Sequence, residues 1–259
     1  MKYLQAALFV LAFLSCTSIN EADRLVYVAP AVVSRAVLIE DFTGQRCVNC
    51  PKATAEIGQL QEMYGEDNVI AVAIHSGPLA VYSNSKVTGL RTELGDAYYD
   101  FWKVEAEPSG LVNRRGDVSL LNQWGTRVYE ELQTVAPLTL ALEGNVSEEQ
   151  AEVTVECIAL DELKGKLQVW LLEDSIVAPQ MLPDGTMDVN YVHHHVLRAS
   201  MNGMWGTDVD WRQGETAVLR FQSAIQPEWN VSHLTAVAFV YDSSGVQQVI
   251  RKKCILTAK

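Results

Sequence analysis

Val37-Leu38-Ile39-Glu40-Asp41-Phe42-Thr43-Gly44-Gln45-Arg46-Cys47-Val48-Asn49-Cys50 carries an apolar, β-rich run directly into two cysteines separated by two residues. Over residues 51–66 the pattern turns helical: Ala53, Ile57, Leu60 and Tyr64 recur on one face, with Glu56, Gln59 and Glu62 elsewhere. Pro51 suits a helix start, where its missing N–H would have had no partner. Residues 69–74 are a continuous apolar run of the kind that forms buried parallel strands. Strand, cysteine pair, helix and strand together read as a βαβ unit. A helix N-terminus stabilises the thiolate of the first cysteine, so a pair at this spacing can close a small disulfide and reopen it.

Outward from that unit, residues 77–103 read as an insertion, a loop followed by a helix near residues 87–101. Glu107-Pro108-Ser109-Gly110-Leu111-Val112 follows as a strand, and Arg115-Gly116-Asp117 as a turn. Leu120, Leu121, Trp124, Val128, Leu132 and Val135 fall on one face of a last helix, which Pro137 closes. Beyond it the pattern changes to some seven strands: 138–142, 151–160, 167–172, 189–199, 216–222, 234–241 and 246–256. Lys164-Gly165, Pro183-Asp184-Gly185, Gln213-Gly214 and Ser243-Ser244-Gly245 punctuate them. Strands so spaced predict an immunoglobulin- or fibronectin-like β-sandwich. The expected organisation is an α/β domain over residues 25–136, followed by a β-sandwich domain over residues 137–259.

At the N-terminus, Lys2 precedes an apolar stretch over residues 4–14, long enough for a signal h-region and too short to span a bilayer. It ends in Phe13-Leu14-Ser15-Cys16, which resembles the bacterial lipoprotein signal. That resemblance implies a leader over residues 1–15, lipid on Cys16 and a tether to residue 24. Thr17 is not the aspartate that retains many such proteins in the inner membrane, so an outer-membrane destination, with the cell surface as one expected face, follows. The composition is 48% hydrophobic and 20% charged, ordinary for a globular protein. A formal net charge of −12 argues against nucleic acid as a partner and against electrostatic docking on anionic lipid. With Cys16 assigned to lipid, Cys47, Cys50, Cys157 and Cys254 remain, an even number in a compartment that permits disulfides. The simplest pairing is Cys47–Cys50 and Cys157–Cys254. Cys157 and Cys254 each alternate with apolar neighbours, so they either bridge the sandwich or are buried small residues.

The run from Val37 to Cys47 resembles the second core strand of the thioredoxin superfamily and its approach to the active site. In that superfamily the strand ends in Asp-Phe, six residues ahead of the first cysteine, and Asp41 has that spacing. Pro108 resembles the family's cis-proline, which begins the next strand beside the cysteine pair. The resemblance covers roughly residues 33–135 and implies a thioredoxin-like α/β domain. Cys47, nearer solvent, would form a mixed disulfide that Cys50 resolves. Asp41 would assist proton transfer at Cys50, and Pro108 would present backbone to a peptide. Arg46 stands where thioredoxins carry tryptophan, and Val48-Asn49 replaces Gly-Pro. A cationic Arg46 favours the thiolate, whereas the lost tryptophan removes a docking surface. The other reading is a fixed disulfide in a non-catalytic scaffold.

No second cysteine pair follows at ligand spacing, so no zinc site is expected on Cys47 and Cys50, nor any cofactor. His193-His194-His195 lies in ordinary strand sequence and reads as an incidental cluster. Arg115-Gly116-Asp117 spells an adhesion tripeptide, but those residues are also what a hairpin turn tolerates. The lipoprotein signal, the two halves and Tyr191-Val192-His193-His194-His195-Val196-Leu197-Arg198 resemble the 28-kDa outer-membrane lipoprotein family of Bacteroidetes. That resemblance implies a lipid-anchored outer-membrane or cell-surface protein with a protein or peptide partner. Two functions are expected from it: thiol–disulfide exchange on envelope proteins, or a surface adhesin or receptor in which the α/β half is scaffold.

Overall fold

β1 (Val37–Thr43) is buried along its whole length and runs into the turn that holds the cysteines. The computed structural model describes residues 34–257; Cys16, the expected leader and tether, and the start of the α/β half lie outside them. α1 (Cys50–Tyr64) begins on the second cysteine of the pair, with Pro51 in its first turn. The chain returns through β2 (Val69–His75), parallel to β1 from Val37↔Val69 to Thr43↔His75. α2 (Glu93–Phe101) starts later than the pattern predicted, because Thr92 caps it by accepting a hydrogen bond from Gly95 N. β3 (Ser109–Val112) pairs antiparallel with β1, and β4 (Ser119–Leu120) with β3. A short 3-10 turn at Leu121–Gln123 leads into α3 (Trp124–Leu132). Ala53, Ile57 and Leu60 of α1 and Trp124 and Val128 of α3 share a core with Val37, Ile39, Val69 and Ala71.

The rest of the chain is β-structure. In order come β5 (Leu138–Val146), β6 (Gln150–Ala159), β7 (Leu163–Glu173), β8 (Ile176–Val177), β9 (Gln180–Met181), β10 (Met187–Asp188) and β11 (Val192–His193). β12 (Val196–Ser200), β13 (Thr207–Trp211), β14 (Thr216–Ala224), β15 (Leu234–Asp242), β16 (Gly245–Lys253) and β17 (Ile255–Leu256) complete it. The single strand expected over 189–199 is two strands, divided where His195 takes a left-handed φ of +57°. His193 therefore closes β11, while His194 and His195 lie between the two strands.

The main sheet does not stop at residue 136. Its order is β16-β15-β7-β12-β2-β1-β3-β4, with β13 also on β7, so it is mixed and draws on both halves of the chain. One strand pair joins the two wings, Val196↔Ala73, beside a hydrogen bond from Ala73 N to His195 O of 2.8 Å. A second sheet, β14-β6-β5-β17, covers the far wing. Alternation along β7 and β15 explains the layering. Leu167, Val169, Leu171, Ala236 and Ala238 enter the core shared with β5 and β6. Trp170, Leu172, Val237 and Phe239 enter the other, shared with Leu38 and Phe42 of β1 and Ile70, Val72 and Ile74 of β2. No helix among the described residues is long and apolar enough to cross a membrane.

Cys157 and Cys254 are both buried and both free, which corrects the expected bridge. Cys157 lies opposite Leu140 on β5, whereas Cys254 packs against Gly144. Four positions along a strand separate them by roughly 14 Å, twice the span a disulfide can reach. Burial pushes the Cys157 thiol up to about 12 and that of Cys254 up to about 11, so both stay protonated.

The wings are locked by a buried ion pair. After β3, Asn113 and Arg114 adopt left-handed backbone, φ +49° and +52°. Asn113 continues the pairing through its side chain: its Oδ1 accepts from Leu38 N and its Nδ2 donates to Glu131, both at 2.8 Å. Arg114 turns back to β1 and donates twice to Glu40, from Nε and Nη2, each at 2.8 Å. The guanidinium also faces the rings of Tyr241 (4.5 Å), Phe239 (4.9 Å) and Trp170 (5.5 Å) from the other wing. Replacing Glu40 would leave that charge unpaired inside the protein. Glu40→Gln is expected to lower stability by about 3–5 kcal/mol in urea unfolding. Lys164→Ala, at an exposed pair with Asp210, is expected to leave the midpoint unchanged.

Candidate functional site

Cys47 and Cys50 are joined in a disulfide at the head of α1, with Cα atoms 5.4 Å apart. Arg46, Val48 and Asn49 face solvent, but the sulfur-bearing residues do not: each is 2% exposed. This corrects the expectation that Cys47 lies nearer solvent. The cover comes from the far half of the chain. Gln180 Nε2 donates to Cys47 O at 3.0 Å, and Met181 N donates to Gln45 O at 2.8 Å. Gln45 in turn donates to Thr88 O and Pro179 O and accepts from Leu90 N, so the cysteine loop is tied on three sides.

Glu107 stands beside the pair, and Asp41 lines the same cavity as Cys50. Pro108 begins the approach to β3 after a cis peptide bond, and the Glu107 before it brings a carboxylate oxygen within 4.8 Å of both sulfurs. Neither Glu107 oxygen has a hydrogen-bond partner. Gly77 makes room for it: at φ +64°, a Cβ there would sit 3.0 Å from Glu107 Oε1 and 2.6 Å from the Tyr99 ring. Asp41, on β1, is buried, and its Oδ1 also lacks a partner. Burial, and then the charge of Glu107, push the Asp41 carboxyl up to about 8. Burial likewise lifts Glu107 to about 7, against the pull of Arg91. The two acids thus sit where proton transfer near neutral pH is easiest.

Asp41 and Cys50 line one wall of a cavity of about 170 Å³ whose other wall is built by His75, Gln180, Tyr191, His193, His194 and His195. His75, at the end of β2, packs edge-on against His193 with ring centroids 5.2 Å apart. Burial drives both imidazoles towards the neutral form, His193 down to about 4. His195 is held differently. Its Nδ1 lies 3.0 Å from Asp174, which also accepts from its backbone N at 2.7 Å. Burial alone would raise the Asp174 carboxyl; the His195 contacts outweigh it and bring it down to about 2.

Of the residues singled out from the sequence, Asp41, Cys47, Cys50 and Pro108 converge here, and His193 and His195 join them across the sheet. Arg115 does not present a free adhesion tripeptide side chain: it pairs with Glu131 at 2.7 Å and donates to Ser244 O at 2.7 Å. Sequence reasoning missed Glu107 and Gln180. Glu107 was within reach, as the neighbour of a proline already marked; no spacing connects Gln180 to residue 47.

Asp41 and Glu107 hold their protons more tightly folded than unfolded, so stability from these groups is greatest below about pH 4 and falls as pH rises to about 8. Asp41→Asn is expected to flatten that fall. Urea midpoints at about pH 5 and about pH 9 should differ less than in the wild type, and the variant should be the more stable protein at the higher pH.

Residues 95–257 match the family of outer membrane protein Omp28, a span that includes Glu107, Pro108 and the three histidines and begins after the cysteine pair. HBP35 of Porphyromonas gingivalis is similar in structure, with a TM-score of 0.66 at 14% identity, over 88% of this chain and 78% of that one. That likeness is one of fold. A domain of the outer membrane lipoprotein Omp28 from Porphyromonas gingivalis matches at 24% identity and a TM-score of 0.34, over 48% of this chain and 93% of that one. No curated protein matches. With more than half of its length matched, this chain belongs to the Omp28 family of outer membrane proteins.

Proposed function

We propose that this outer membrane lipoprotein, lipidated on Cys16, exchanges disulfides with protein or peptide partners in the cell envelope. Residues 25–136 then act as a thioredoxin-like domain, and residues 137–259 as an immunoglobulin- or fibronectin-like sandwich that shares its sheet. The strand order β2-β1-β3-β4 and the helices α1 and α3 on one face support the first part of that reading. The observation that carries it is the disulfide at the head of α1, with the partnerless Glu107 carboxyl group within 4.8 Å of both sulfurs and Asp41 lining the same cavity as Cys50.

In the reduced state the Cys47 thiolate attacks a partner disulfide, forming a mixed disulfide and releasing one partner thiolate. Cys50, giving its proton to Asp41, then attacks Cys47 Sγ; the second partner sulfur leaves and the ring closes. Two electrons pass from the dithiol to the partner. Because Cys47 is covered, the Gln180–Met181 strand must lift from Gln45 and Cys47 before a partner docks. That cover favours a second reading, in which the disulfide is fixed and the protein is a surface adhesin or receptor on a non-catalytic scaffold.

Insulin reduction separates the two. Wild-type activity abolished by Cys47→Ser supports exchange; an inert wild type whose disulfide resists reduction below about −300 mV supports the scaffold. If exchange holds, Glu107→Gln removes a negative charge that disfavours the thiolates and is expected to make the potential less negative. A shift of roughly 30–60 mV corresponds to one carboxylate acting through a partly screened interior.

A further inference from the structure

We propose that the reduced cysteine pair and Glu107 form a binding site for a thiophilic divalent cation of the zinc class. The site rests on the pair being reducible, as the exchange reading also requires. A dithiol donor supplies two electrons and two protons, leaves as its cyclic disulfide, and converts Cys47–Cys50 to two thiols. The cation then replaces both thiol protons, forming two metal–sulfur bonds and one bond to the Glu107 carboxylate.

The geometry calls for little rearrangement. One ligand atom from each of Cys47, Cys50 and Glu107 already lies within 4.8 Å of the other two. Tetrahedral zinc with two sulfurs and one oxygen needs sulfurs about 3.8 Å apart and sulfur–oxygen distances of about 3.6 Å. Breaking the disulfide lets the sulfurs separate to that distance, and the carboxylate oxygen has at most about 1.2 Å to close. Both Glu107 oxygens are without a hydrogen-bond partner, so coordination displaces no existing bond. Two thiolates select a borderline-soft ion over magnesium or calcium. Three protein ligands leave the fourth position to water or to an incoming thiolate.

Glu107 supplies what a second cysteine pair would supply in an ordinary structural zinc site, and it reaches the pair only through the β3 approach. A cation held there would occupy the sulfur that attacks partner disulfides, so metal and exchange compete for the same atoms.

The test uses the full chain, reduced by a dithiol, desalted without oxygen and titrated with cobalt(II). Thiol counting must first show two thiols more than in the oxidised protein. The reduced wild type is expected to develop sulfur-to-cobalt charge-transfer absorption and intense tetrahedral bands, both bleached by zinc. Oxidised protein, which still carries free Cys157 and Cys254, should show neither. Glu107→Gln should keep the same thiol count and weaken cobalt binding at least tenfold, and Cys50→Ser should abolish the bands. A pair that cannot be reduced, reduced protein without the bands, or Glu107→Gln binding as tightly as wild type overturns the proposal. Insulin reduction without cobalt bands overturns it alone; cobalt bands without insulin reduction support it and overturn the exchange reading instead.

Discussion

The Glu40–Arg114 ion pair is the constraint on which the rest of the structure depends. Its side chains are 1% and 3% exposed, so neither charge has water to fall back on. Desolvating two ions is costly, and a buried pair of this kind contributes little net stability over an apolar substitute. What it supplies is position. Arg114 can satisfy Glu40 only if the turn after β3 takes its left-handed backbone, and it meets Tyr241, Phe239 and Trp170 only if the β15 wing closes over β1. Three elements far apart in sequence are therefore fixed by one guanidinium. Asn113 and Glu131 extend the same network to α3 and Arg35.

That closure determines the chemistry of the cysteine loop. With the wings joined through Val196 and Ala73, the segment between β8 and β12 lies across the end of β1 and β2. It covers Cys47 with Gln180 and walls the cavity behind Cys50 with histidines. Excluding water from this region lifts Asp41 and Glu107 towards neutrality and strips His75 and His193 of charge. A cysteine pair on an open loop would have neither property. The same cover that tunes the acids also restricts access to the disulfide.

Local pattern carried the near half well. Apolar runs, a helical period and Pro51 marked β1, α1 and β2, because each depends on neighbours within a few residues. Asp41 and Pro108 were singled out by resemblance to the thioredoxin superfamily and not by local pattern. Strand positions in the far half were mostly legible from alternation, yet the pattern could not reveal that β7, β12, β15 and β16 continue the same sheet. Both wings bury both faces of their central strands, and such strands read alike whether they belong to one sheet or two. The break at His195 was hidden for a related reason: a left-handed residue between two β-rich runs leaves no mark in hydrophobic alternation. Free Cys157 and Cys254 followed from register, which even numbers of cysteines do not encode.

By itself, then, the sequence determined the βαβ unit and the cysteine pair at its helix, since these rest on short-range periodicity and on Pro51 at the helix start, whereas Asp41 was marked only by resemblance to the thioredoxin superfamily. Only the tertiary structure decided that Glu107 stands beside the sulfurs, that Gln180 covers them and that His193 faces His75. Those contacts join residues 47, 107, 180 and 193, and they exist because burying both faces of β7 and β15 forces the far half of the chain onto the near one.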